Sequence, residues 1–110
     1  MSGQDLMLEL RDNQRLQERS LGEFGRRGRA YAEAEMNYRV AFAKKILLLK
    51  NEGYPATLIG DLCRGDKEIA RLRFERDVAE VDLKANQEAI QVYKLKARSL
   101  EAQIDREYRG

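Results

Sequence analysis

Apolar residues fall on two separate faces of each long gap-free stretch of this chain. Between Asp66 and Tyr108 there is neither glycine nor proline. One stripe there comprises Leu72, Ala79, Leu83, Asn86, Ile90, Tyr93, Ala97, Leu100 and Ile104. Its steps of three, four and seven are those of a heptad seam. A second stripe comprises Phe74, Val78, Val81, Ala85, Ala89 and Val92, about 160° away at 100° per residue. The segment is too long and unbroken for strands. It predicts a helix over 66–108, ~64 Å long at 1.5 Å per residue. Asp66 can cap its first turn, and Glu68 suits the positive end of its dipole.

The stretch "AYAEAEMNYRVAFAKKILLLKNE", residues 30–52, predicts another helix. Tyr31, Tyr38, Phe42 and Leu49 cluster on one side. Met36, Val40, Ala43 and Leu47 lie on another, and Ala34, Ala41 and Leu48 on a third. Only Glu33, Asn37, Lys44 and Asn51 make a clean polar strip. A helix apolar nearly all round is buried on most sides. Gly53 suits the left-handed residue just past its end, and Pro55 blocks continuation. Residues 53–65 then read as a connector. Its "PATLIGDLCRG" predicts a short helix, with Leu58, Ile59 and Leu62 closing the end of the hairpin. Residues 1–29 form a basic N-terminal helix or arm. Gly22, Gly25 and Gly28 each cost up to ~1 kcal/mol inside a helix. Either the helix breaks there, or bare backbone lets another helix approach.

The expected fold is a single all-α domain over residues 1–110: a long antiparallel helical hairpin, coiled-coil-like. One neighbour covers about a third of a helix's girth, so a lone hairpin leaves apolar strips wet, and such strips mark interaction sites. The expectation is a homodimer or higher oligomer, a multi-helix bundle. The residues expected to carry self-association are Tyr38, Phe42, Ile46, Leu49, Leu83, Ile90, Tyr93 and Leu100. Asn86, on the main seam, either fixes register or lies at the seam edge.

Composition agrees and narrows the chemistry. Of 110 residues, 36% are charged, and there is no tryptophan, as in long helices and coiled coils. The net charge of +2 argues against a strongly basic nucleic-acid protein. There is no histidine, which removes most general-base and metal arrangements. Glu33 and Glu35 lack the histidine partners of a di-iron bundle. Cys63, the one cysteine, has no catalytic partner in sequence and reads as a small apolar filler. The glycines of "GEFGRRGRA" do not follow a strand and lack the Lys-Ser/Thr ending of a phosphate loop. Neither an enzymatic activity nor a cofactor is expected. No run approaches a membrane span, and the start has no signal-peptide pattern. A cytoplasmic protein without membrane contact is the expectation.

Basic residues concentrate between Arg11 and Arg29, six arginines against three acids. Arg15, Arg19, Arg26, Arg27 and Arg29 could meet nucleic-acid phosphates. Phe24 and Tyr31 are too few for a base-stacking platform.

Residues 30–109 also resemble small helical proteins encoded by phages and prophages of Gram-positive bacteria. The likeness rests on the "AEAE" and "YR" of Ala32–Arg39, the "EGYPATLI" bend, "RGDKE" at Arg64–Glu68 and "FERDVAE" at Phe74–Glu80. It implies an early-gene setting in a host cell, near recombination or single-strand-binding functions, and no reaction. The functions expected are binding to another phage or host protein, as adaptor or inhibitor, or an accessory role on nucleic acid in phage replication or recombination.

Overall fold

The computed structural model describes residues 2–109 and is all-α, with no strand among them. Helix α1 is Gly3–Asn51, α2 is Ala56–Gly65 and α3 is Lys67–Arg109, and the architecture is a helical hairpin. Residues 3–29 are therefore continuous with 30–51. The glycines do not break α1, nor do they serve a close approach within the chain. A Cβ on Gly25 or Gly28 would meet nothing within 4 Å.

The ends of the elements follow local chemistry. Ser2 and Asp5 cap α1 reciprocally. The Asp5 N–H donates to Ser2 Oγ at 3.2 Å, and the Ser2 hydroxyl donates to the Asp5 carboxylate at 2.8 Å, so a free first-turn donor is satisfied. At the other end Gly53 takes φ +88°. Its N–H donates to the Lys50 carbonyl and that of Tyr54 to the Leu49 carbonyl, each at 3.1 Å. This pair of bonds is the glycine stop that the sequence implied. Asp66 accepts from the Ile69 N–H at 3.1 Å and lies 3.4 Å from Lys45 Nζ. The Ile69 N–H first, and then Lys45, hold the Asp66 carboxyl below its ordinary pKa against the opposing effect of partial burial.

The chain divides into two compact units that share the long helices. One joins Arg26 and the residues before it to Leu83 and those after it; the other is Arg27–Asp82. In Arg27–Asp82 the core is Leu49, Ile59, Cys63 and Ile69, with Tyr38, Ala41, Phe42 and Ile46 packed against it. Burying a leucine or isoleucine side chain is worth about 1.5–3 kcal/mol. Cys63 is fully buried, as a filler. Within α2, Ile59 and Cys63 close the core, one turn apart on one face. Leu58 and Leu62, expected to help close it, share a different face and are exposed.

In the other unit α1 contributes Leu6, Asn13 and Ser20 to the buried seam, and α3 contributes Asn86, Ile90, Ala97 and Leu100. Asn86 donates its side-chain N–H to the Ser20 carbonyl at 3.0 Å. Asn86 thus lies inside the seam and not at its edge. Sliding one helix by a heptad would keep many apolar contacts but would strand this amide. Asn13 is only 2% exposed. It accepts from Gln17 at 2.7 Å, while its own side-chain nitrogen has no partner among the described residues.

Candidate interaction surface

The α3 seam runs 69, 72, 76, 79 in Arg27–Asp82 and 83, 86, 90, 93, 97, 100, 104 in the other unit, a three-four alternation of buried or half-buried positions. It is the first stripe of the sequence with Ile69 and Arg76 added. Arg76 hides in the seam because its guanidinium has partners. It lies 4.6 Å from the centre of the Tyr38 ring, 3.5 Å from Glu35 and 2.9 Å from Asp77. The hydrogen bond to Asp77, then the Asp77 and Glu35 charges, raise its pKa against the cost of desolvation. Charge disguised this position, although its spacing from Leu72 and Ala79 is that of a seam.

Three of the residues expected to carry self-association serve the chain itself. Leu49, Ile90 and Leu100 are buried within it and are corrected to intramolecular packing, because each helix offers two heptad-spaced faces and this one is turned inward. Leu83 and Tyr93 are half-buried on the same seam. Tyr38, Phe42 and Ile46 are half-buried and still reach a surface. With Glu35, Arg39 and Arg76 they line an open groove of about 430 Å³, with Tyr38 and Phe42 ring centres 5.8 Å apart.

The exposed apolar faces are the other ones. On α1, Met36, Val40 and Leu47 are exposed, Leu47 to 63%. On α3, Phe74 is exposed to 67%, with Val78 and Val81 beside it. Both faces belong to Arg27–Asp82. In the other unit Val92 and Leu95 of α3 are likewise exposed.

Arg15, Arg19 and Arg26 share the outer side of α1, but Arg15 pairs with Asp12 at 3.6 Å and Arg26 with Glu23. Arg27 is half-buried and donates to the Asp82 carbonyl at 3.2 Å, so part of its guanidinium is engaged within the chain. Arg29 is exposed.

These features define an all-α helical hairpin with apolar faces on the outer sides of its helices. No described helix is long and apolar enough to cross a membrane. Comparison with protein-family models, curated proteins and solved structures finds no match to this chain.

Proposed function

We propose that this chain is a non-enzymatic helical protein that acts by binding protein, first of all further copies of itself. The observation that carries this reading is the pair of exposed apolar faces on α1 and α3 of Arg27–Asp82. A helix face left to water gains nothing from heptad spacing. One that meets a partner gains about 25 cal/mol for each Å² covered. Through such an assembly the chain would present its remaining apolar residues, including Leu58 and Leu62 of α2, to another protein as an adaptor or an inhibitor. The sequence resemblance suggests a phage or prophage setting and action in the host cytoplasm. The arginines support a nucleic-acid role less well. Two are paired with acids of their own helix, and Arg27 donates to a backbone carbonyl of α3.

Light scattering across a concentration series tests the reading. The expected result is a mass that rises above the 12.8 kDa of one chain as concentration increases. A mass fixed at that value up to millimolar protein would overturn it.

A further inference from the structure

The two exposed faces of Arg27–Asp82 differ in charge. On α1, Met36, Val40, Ala43 and Leu47 stand at i, i+4, i+7 and i+11. They point roughly 160° away from the seam positions Ala34, Tyr38, Ala41 and Lys45, at 3.6 residues per turn. The same turn angle sets Arg29, Arg39, Lys44 and Lys50 along this stripe, with Glu33 as the acid among them. Arg39 is held by Glu35 at 2.6 Å. Lys44 and Lys50 are exposed and make no ion pair among the described residues.

On α3, Phe74, Val78 and Val81 likewise point roughly 160° away from Leu72, Arg76 and Ala79. Here the rim is acidic. Asp77 and Asp82 flank the three apolar residues, and together the five line a shallow groove of about 230 Å³. Asp77 is paired with Arg76, and the Asp82 carboxylate has no ion pair among the described residues. On this side, toward the start of α3, the cations are Lys67 and Arg71. Arg71 is neutralised by Glu68 and Glu75.

We propose that the basic-rimmed stripe Met36–Leu47 of one copy docks on the acidic-rimmed stripe Phe74–Val81 of a second copy. This deepens the self-association reading above and rests on it. Like-with-like pairing is the alternative, and charge opposes it. Two α1 stripes face to face would bring the unpaired Lys44 and Lys50 against their own copies. Two α3 stripes would do the same with Asp82. Crossed pairing puts lysine opposite aspartate, and complementary rims select the partner and the register. Because each stripe points away from the shared seam, the two lie on opposite sides and one partner cannot engage both, so the crossed contact is heterologous. Each copy spends one stripe of each kind, so assembly continues into a ring or an open chain instead of stopping at a symmetric dimer.

The test uses one blocked stripe at a time in the full chain. Val40→Glu blocks the α1 stripe and Val81→Glu blocks the α3 stripe. Both sites are exposed, and glutamate is a good helix former, so circular dichroism should match the wild type. Each variant alone is expected to sediment as a monomer. An equimolar mixture is expected to give a species of twice that mass and nothing larger. In it the intact α1 stripe of Val81→Glu meets the intact α3 stripe of Val40→Glu, while the two blocked stripes repel. Higher salt is expected to weaken the pair. Should either variant lose helicity, Ala43→Glu and Phe74→Glu replace them. Self-pairing by either single variant, or a mixture that stays monomeric while the wild type associates, would overturn crossed docking and leave self-association standing. A wild type that never associates would remove both.

Discussion

Arg27–Asp82 and the other unit bury the same two helices by different means. In Arg27–Asp82 the seam ends in an apolar cluster of three helices, with Ile59 and Cys63 of α2 laid over Leu49 and Ile69. The other unit has only two helices, and three of its buried residues are polar: Asn13, Ser20 and Asn86. A third helix lets apolar side chains be enclosed on more sides, which favours stability. Two helices alone leave the seam free to slip by a heptad, and the Asn86 bond to Ser20 opposes that slip. The comparison suggests that the first unit supplies stability and the second supplies register.

The largest effect should follow from breaking the apolar cluster. Ile69→Ala empties a position that is 3% exposed and touched by α2, at an expected cost of about 2–5 kcal/mol. Hydrogen exchange should locate the loss. Amides around Leu49 and Ile59 are expected to lose more protection than those around Ile90. Equal loss at all of them would mean that the two units open as one, and the division of labour would fail.

An intermediate effect of opposite sign is expected at Asn13. Its side-chain nitrogen is buried without a partner among the described residues, a condition that costs about 1–3 kcal/mol. Asn13→Leu removes it and loses only the bond from Gln17. The expected net gain is about 1 kcal/mol, read as a higher urea midpoint at an unchanged slope. A lower midpoint would show that the Asn13 amide does more than the seam geometry accounts for.

Much of this fold was legible in sequence where a single residue type settles the matter. Gly53 carries a positive φ, and Asp66 caps α3, because few side chains do either task. The α3 seam was legible from spacing, apart from Ile69 and Arg76. Which face turns inward was not. Phe74, Val78 and Val81 are spaced as well as Leu72, Ala79 and Leu83, so the period cannot choose between them. That degeneracy sent Leu49, Ile90 and Leu100 to the outer surface. In α2 the pairs Leu58 with Leu62 and Ile59 with Cys63 have the same i, i+4 spacing, and only packing against Leu49 and Ile69 separates them. Arg27 was hidden for a related reason. A cation in a basic run reads as surface until a backbone carbonyl, here that of Asp82, is found within its reach.

The smallest effect sharpens the comparison where the sequence left two alternatives. Gly25 lies inside α1 in the unit with the polar seam, and a Cβ there would meet nothing within 4 Å. Glycine in a helix interior is destabilising by roughly 0.5–1 kcal/mol relative to alanine, through the extra backbone freedom it loses on folding. Gly25→Ala is therefore expected to stabilise by that amount, with the gain visible in thermal unfolding and in slower exchange of amides near Ser20. It touches no seam residue, so the Asn86 bond to Ser20 should be unaffected, and the helix content should not fall. If Gly25→Ala instead lowered the midpoint, the outer side of α1 at Gly25 could not be open space in the assembled protein. A neighbouring copy would then be passing close to its bare backbone, and the surfaces buried by assembly would have to extend beyond Arg27–Asp82.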